Sequence, residues 1–422
     1  MTPMSEPKKK PFPRVFWVAI GLEVLERLAF YGVYVNLSVY LTDTVHLDPK
    51  EGGVLLGWFA AARAWLPVAT GALSDRIGFR RSLLASFAMY IVSYAMLAAF
   101  PSRLGAWTSV LAIGFAGAFL KPVIPATVRR YSPPGRESTG FSAFYASVNA
   151  GSVVGKTATK IVRTAISLRA TMVNSIVACA LALAIAFAAF REPEGGPADG
   201  AGADAAAEKP APVKPPSFLE SLREAGTDPR FVVFLVLVSG YYLLIEQFYQ
   251  TFPVYVVRTL GKDAPREYIT LINPLAIALL QVVVGWLTKR LPALVAMPLG
   301  ILVGAGSMLL MGSFPTLLGA CGSFFVFAIA EMIYSPRYYE YVSSFAPKGR
   351  EGLYMGLALV PFGVGGLVGG VLSGRLIAAH LPENGPLRPM SVWGTYAAIG
   401  VGCALALFVF GLVTRPRRAA AA

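Results

Sequence analysis

Apolar residues in this chain come in long blocks rather than in one-sided stripes. At about 20 apolar residues per bilayer crossing, the blocks predict about twelve membrane-spanning helices. They fall near 14–41, 50–73, 82–100, 105–130, 138–164, 168–190, 229–258, 266–288, 291–313, 315–345, 350–379 and 391–414. The pattern fails in the middle. Arg191 to Pro216, "REPEGGPADGAGADAAAEKPAPVKPP", is rich in Pro, Gly, Ala and charge, and it reads as a flexible linker because it cannot bury a core. The next stretch, "SFLESLREAG" (217–226), is expected to form a short interfacial helix. The chain is therefore expected to divide into a six-helix bundle (1–190), a linker with its short helix (191–228) and a second six-helix bundle (229–422).

Composition agrees with that pattern. The chain has 422 residues, of which 55% are hydrophobic and 14% charged, whereas soluble domains average about 25% charged. The fold class is an all-α membrane protein. Net charge is +14, but this excess does not point to nucleic acid. The cations cluster in short loops at alternate span ends: the N-terminus, "DRIGFRRS" (75–82), "RRYSPPGRE" (129–137), "TKR" (288–290), "PKGRE" (347–351) and "RPRR" (415–418). By the positive-inside rule both termini are expected in the cytoplasm, with the protein multi-pass in a bacterial inner membrane or plasma membrane. The basic start precedes no small-residue cleavage site, so the first block is read as an uncleaved span. Cys179, Cys321 and Cys403 lie in apolar blocks and read as packing residues, with no metal site expected.

Some spans carry charge. "GLEVLERLAFYG" (Gly21–Gly32) places Glu23, Glu26 and Arg27 inside the first block, where a lone charge facing lipid costs about 2.5–3.5 kcal/mol. On a helix, these three fall with Phe30, Tyr31 and Tyr34 in an arc of about 140°. Leu22, Leu25 and Val33 lie opposite. Glu23 and Arg27, four apart, can pair directly. The polar face is expected to look into a cavity or the bundle interior.

Six plus six spans around a central linker is the layout of major facilitator transporters. "GALSDRIGFRRS" (Gly71–Ser82), between spans two and three, resembles that superfamily's loop motif, with Asp75, Arg76 and Arg80 as the implied gating residues. The corresponding "GWLTKR" (Gly285–Arg290) is degenerate, so internal repetition rests on span count. A finer resemblance runs through six spans. "ExxERLAFYG" in span one resembles the Glu-x-x-Glu-Arg signature of proton-coupled oligopeptide transporters. "FLKPVIPA" (Phe119–Ala126), "GFSAFYASVNAGS" (Gly140–Ser152), "LLIEQFYQ" (Leu243–Gln250), "LINPLAIALL" (Leu271–Leu280) and "AEMIYSPRYYEY" (Ala330–Tyr341) resemble that family's segments in spans four, five, seven, eight and ten.

The resemblance implies roles. Arg27 and Lys121 would hold a peptide carboxylate, while Asn149, Asn273 and Glu331 would hold its amino end. Glu23 and Glu26 would bind protons, and Glu246 would serve gating or proton linkage. A zwitterion entering a low-dielectric cavity needs a cation at one end and an acid with amide oxygens at the other. The proton affinity of a carboxylate beside Arg27 depends on whether Arg27 stays with it, which offers a route from substrate binding to proton uptake. Tyr31 and Tyr34, with Phe30, Tyr145 and Tyr334, can line side-chain pockets or pack the bundle. No cofactor is implied; the proton is the coupling ion. The expected partners are a small peptide or anion and the lipid bilayer, with no nucleic acid and a monomeric state.

The chain also departs from the family pattern. Leu28 and Phe30 replace Phe and Tyr, and Tyr34 stands where a basic residue is usual. Span two lacks a tyrosine near Ala64 and has Arg63 instead. Span eleven lacks a tryptophan near Leu357. The linker is too short and polar for the two extra helices of many bacterial members. Lys156, Lys160 and Arg163 share a face of about 60° with Asn149. Lys160 and Arg163, near the outer end, are expected to snorkel, while Lys156 lies deeper and is placed in the cavity. Two readings of the surplus cations stand: an anionic substrate, or cations paired with Glu23 and Glu26. Two functions follow, a proton-coupled symporter of di- or tripeptides and related carboxylated solutes, or a proton-coupled transporter of a non-peptide anion. A sensor that binds without moving substrate stays open. An enzyme does not fit, since the two histidines, His46 and His380, fall in outer loops with no nucleophile or metal spacing.

Overall fold

Why the apolar blocks end where they do is mostly a matter of proline and of polar side chains claimed elsewhere. In a computed structural model, which describes residues 11–134, 136–191, 227–345 and 351–414, twelve long helices follow one another. In the first half these are α1 (Arg14–Tyr34), α2 (Pro49–Ile77), α3 (Phe79–Ala99), α4 (Arg103–Tyr131), α5 (Glu137–Ala165) and α6 (Thr171–Ala189). The second half has α7 (Pro229–Gln250), α8 (Ile272–Thr288), α9 (Ala293–Ser313), α10 (Leu317–Phe345), α11 (Val360–His380) and α12 (Pro389–Val413). The linker 192–226, the expected interfacial helix, the loop 346–350 and the basic tail lie outside the described residues.

Four expected spans are interrupted. The first stops at Tyr34 and continues as the short turns Leu37–Val39 and Tyr40–Thr44; at the break, Asn36 turns its amide toward the second half of the chain. The seventh pauses before Phe252–Leu260, the eighth begins with Arg266–Ile269 before α8, and the eleventh with Glu351–Leu357 before α11. In these three, Pro253, Pro274 and Pro361 follow the breaks, each lacking the N–H that would continue the ladder.

Among the described residues, ten helices are long and apolar enough to cross a membrane. The two that fall short, α1 and α5, have 21 and 29 residues, and at 1.5 Å per residue α1 spans about 30 Å. In α1 the deficit is the charge of Glu23, Glu26 and Arg27; α5 is poor in aliphatic residues, with Ser, Thr, Gly and Asn along its first half and Lys156, Lys160 and Arg163 along its second.

Packing repeats between the halves although sequence does not. α1 packs on α5 and α6, α2 on α4, and α3 on α4 and α6; the same pairs recur as α7 on α11 and α12, α8 on α10, and α9 on α10 and α12. Each half has its own core, one around Leu22, Phe59, Tyr90 and Cys179, the other around Phe234, Tyr255, Met308 and Trp393. The three cysteines are free thiols. Leu279, Val282, Leu318 and Val413, each more than three-quarters exposed, belong to the apolar outer surface expected of a lipid-facing wall.

Inside the first half, α1 and α5 approach closely because Gly151 and Gly155 lack side chains. A Cβ at Gly155 would sit 2.4 Å from the Leu28 carbonyl oxygen and 2.8 Å from its Cα. Backbone cannot yield cheaply, so Gly155→Val is expected to destabilise by about 1–3 kcal/mol and lower the melting temperature in detergent by several degrees. Gly21→Ala, where nothing lies within 4 Å, is expected to hold or slightly raise it. Scanning fluorimetry of both variants checks the pair; equal behaviour would contradict the packing described.

Candidate functional site

The three charges of α1 are arranged as the helical period demands. Arg27 Nε lies 2.6 Å from Glu23 Oε1 and 3.2 Å from Glu26 Oε2, and Tyr90 of α3 donates to Glu26 Oε1 at 2.8 Å. Glu23 and Glu26 are 2% and 4% exposed. A buried carboxylate without such partners would cost several kcal/mol. Arg27 is thus committed to its own helix.

The membrane lysines answer a different need. Pro67 in α2 has no N–H to give the Arg63 carbonyl four residues earlier, and Lys121 Nζ of α4 donates to that carbonyl at 2.8 Å. The relation is reciprocal, since Pro122 of α4 frees the Ala118 carbonyl and Thr70 Oγ1 of α2 donates to it at 2.6 Å. Pro274 likewise frees the Thr270 carbonyl, and Lys156 Nζ donates to it at 3.2 Å across the boundary between the halves. In a bilayer no water replaces a missing backbone partner, so side chains must.

Between the halves lies a cavity of about 300 Å³. Its walls come from α1 (Tyr31, Tyr34), α2 (Arg63), α5 (Tyr145, Asn149, Ser152, Lys156), α7 (Glu246, Tyr249), α8 (Asn273), α10 (Glu331) and α11 (Phe362), with Thr270 beside them. Tyr34 donates to Glu246 Oε2 at 2.7 Å, joining the first half to the second. Asn273 Nδ2 donates to Glu331 Oε2 at 3.1 Å. Asn149 donates to the Tyr145 carbonyl within its own helix. Arg63 lies over Phe30 and Tyr34, 4.7 Å from each ring centroid, and Lys156 lies 5.2 Å from the Tyr31 ring centroid and 5.8 Å from that of Tyr249.

Of the residues singled out in the sequence, Tyr31, Tyr34, Asn149, Lys156, Asn273, Glu331 and Glu246 therefore share one void. Glu23, Glu26, Arg27 and Lys121 do not line it. They form an adjoining charged layer, with Lys121 in electrostatic reach of Arg27, Arg63, Glu26 and Glu246. Tyr334 stacks on Tyr241, 3.7 Å between ring centroids, as bundle packing. Asp75 and Arg76 stand exposed at the end of α2, while Arg80 donates to the Phe187 carbonyl of α6 at 2.7 Å, a contact inside one half.

At the end opposite the "DRIGFRRS" loop the halves are sealed. Lys160 and Arg163 do not snorkel. Lys160 donates to the Asp263 carbonyl at 3.3 Å, and Arg163 lies 2.6 Å from Glu267 Oε1 and donates to the Lys262 and Ala264 carbonyls. Glu267 also accepts from Asn36 at 2.9 Å, and Arg266 donates to Asn36 Oδ1. Carboxylate and carbonyl acceptors in the facing loop outcompete the membrane surface for these cations. Beside them α2 meets α11 backbone to backbone: a Cβ at Gly53 would fall 2.3 Å from the Gly370 oxygen, and one at Gly374 would fall 2.4 Å from the Pro49 oxygen. Sequence reasoning missed this seam, although Gly53-x-x-x-Gly57 and Gly366-x-x-x-Gly370-x-x-x-Gly374 are the small-residue spacing of close helix contacts. On the other side of the cavity Tyr145 is 60% exposed, so the chamber communicates with the end that carries the basic loops.

Comparison with known proteins fits this geometry. The model of the Major Facilitator Superfamily matches residues 20–370. A relative described as multidrug resistance protein MdtH, from Klebsiella pneumoniae subsp. pneumoniae, is 26% identical over 382 residues, 90% of each chain. The MdtH of Escherichia coli (strain K12 / DH10B) is 23% identical over 380 residues, 89% of this chain and 90% of that one. Among solved structures, a POT family transporter in complex with a thioalcohol conjugated peptide superposes with a TM-score of 0.75 at 18% identity, covering 96% of this chain and 97% of that one. The nucleoside transporter NupG also reaches 0.75, at 15% identity, covering 94% and 99%. With the family model spanning most of its length, the chain belongs to the major facilitator superfamily, and is a secondary transporter rather than an enzyme.

Proposed function

We propose that the chain is a proton-coupled symporter of di- or tripeptides and related small carboxylated solutes, working by alternating access around the cavity between its halves. The observation that carries this reading is the polarity of one chamber: Glu331 with Asn273 stands on the second half's wall, and Arg63 with Lys156 on the first half's. That division suits a molecule with an amine at one end and a carboxylate at the other. The fold likeness to peptide-bound POT structures supports it. A second reading, transport of a non-peptide anion, is favoured by Arg63, Lys121 and Lys156, none of which has a carboxylate within ion-pair distance among the described residues.

With the basic loops in the cytoplasm, the seal lies on the outer side and the chamber opens inward. Outward opening then requires Arg163 to leave Glu267 and the glycine seam of α2 and α11 to part. Glu246 is the best-placed proton link. Its carboxylate accepts from Tyr34 of the first half and from Gln250 at 3.5 Å, and protonation removes acceptor capacity from that bridge between the halves. Glu23 and Glu26, held by Arg27 in the adjoining layer, would tune the same step through charge.

Glu331→Gln is expected to weaken binding of dipeptides with a free amine by about 10- to 100-fold, the loss of one charge-assisted hydrogen bond, and N-acetylated dipeptides by less than about twofold. Competition uptake in proteoliposomes measures both, and equal losses favour the second reading. Wild-type net uptake should rise as external pH falls; Glu246→Gln should flatten that dependence while counterflow exchange persists. A pH profile that keeps its slope in this variant would move proton linkage away from Glu246. Glu267→Gln leaves Arg163 without its buried counter-charge, and removing one partner of such a pair costs about 3–5 kcal/mol. Spin labels at positions 50 and 262 should then report longer distances across the outer end, whereas an unchanged distribution would contradict the proposed seal.

A further inference from the structure

Among the described residues, three of the four cations around the chamber have a carboxylate or carbonyl acceptor. Arg27 has Glu23 and Glu26, Lys121 has the Arg63 carbonyl, and Lys156 has the Thr270 carbonyl. Arg63 differs. Its guanidinium lines the cavity, yet its Nε and Nη1 atoms are buried without a hydrogen-bond partner among the described residues. Four rings surround it: Phe30 and Tyr34 at 4.7 Å, Phe59 at 5.5 Å and Phe362 at 5.6 Å from ring centroid to guanidinium carbon. Aromatic faces attract a cation but do not replace an in-plane acceptor for each N–H. The Tyr34 hydroxyl donates to Glu246 and its oxygen can accept one guanidinium N–H in turn, which still leaves Nε and Nη1 without a partner among the described residues.

The backbone that carries the side chain is held from behind, since Lys121 donates to the Arg63 carbonyl where Pro67 opens the ladder of α2. Beyond the Tyr34 ring lies Tyr249, stacked at 4.5 Å between centroids, and beyond Tyr249 lies Lys156. Two cations thus flank one tyrosine stack on the cavity wall, and among the described residues neither has a carboxylate within ion-pair distance.

We propose that Arg63 is the substrate's anion anchor: a carboxylate entering the chamber pairs with the unspent guanidinium N–H groups of Arg63, reinforced by the charge of Lys156, while Arg27 stays with its glutamates. The ligand class is a small molecule bearing a carboxylate, with an amine toward Glu331 where it has one. A guanidinium edge matches the planar two-oxygen geometry of a carboxylate. This rests on the chamber being the transport site, and deepens that reading by naming what selects its substrate.

The test is thermal stabilisation of the purified full-length transporter by three probes: Ala-Phe, N-acetyl-phenylalanine and Ala-Phe amide. Wild-type protein should prefer the two carboxylates over the amide. In Arg63→Gln the half-saturating concentration of both carboxylates should rise about tenfold or more while that of the amide stays, so the preference disappears. Retained amide binding and a monodisperse elution profile report that the variant is folded. If Arg63→Gln does not fold, Arg63→Lys decides, because an ammonium lacks the fork and should reduce the preference. An intact carboxylate preference in Arg63→Gln, or in Arg63→Lys where only that variant folds, overturns the anchor. Loss of preference confined to Arg27→Gln overturns it as well and leaves the transport reading in place. Failure of both carboxylates to stabilise wild-type protein overturns both.

Discussion

Inside a bilayer a carbonyl that loses its N–H partner can be answered only by the protein, and here prolines create that demand at the places where the halves and the cavity are built. Pro67 and Pro122 open α2 and α4 toward each other, and Lys121 and Thr70 close the two gaps. Pro274 opens the start of α8 toward α5, and Lys156 closes it from the other half. Lys156 thereby pins the start of α8 and brings positive charge to the chamber wall, while Lys121 pins α2 one layer behind it. Removing a proline would restore a ladder bond, but it would also release a lysine to seek another acceptor.

The seal at the far end uses the opposite economy. α2 and α11 meet through glycines that bring backbone against backbone, with Ala60 and Trp65 of α2 packed over Gly366 and Gly363 of α11. Specificity comes from the polar lock beside the seam, where Arg163, Glu267, Asn36 and Arg266 satisfy one another. A close backbone contact beside an ionic lock would suit a reversible opening, and Tyr34 on Glu246 joins the halves at a carboxylate in the cavity.

The resemblance to oligopeptide transporters and the geometry agree on the chamber but divide its cations differently. Asn149, Asn273, Glu331 and Glu246 face the void as that resemblance implies. Arg27 and Lys121 stand one layer back, one neutralising two glutamates and the other serving a freed carbonyl. Arg63, which the family pattern does not contain, takes the cavity position. The curated relatives are described as multidrug resistance proteins and one fold neighbour as a nucleoside transporter, consistent with a scaffold whose substrate is set by a handful of wall residues rather than by the fold.

Periods and lengths were legible in the chain. Helix count, the polar face of α1 and the Glu23–Arg27 pair follow from local spacing, because hydrophobic thickness and the 100° helical turn act on neighbouring residues only. The breaks after Tyr34, Gln250, Thr270 and Leu357 were readable in part, since prolines follow three of them. Partners distant in sequence were not. In the sequence Lys160 and Arg163 read as snorkelling residues because their acceptors lie in the distant loop 262–267, and Lys121 reads as a ligand-binding lysine because Pro67, which frees the carbonyl it bonds, lies on another helix. Which charge meets which acceptor is decided by helices that pack across 58 to 114 residues of chain, a relation that no spacing within one helix encodes.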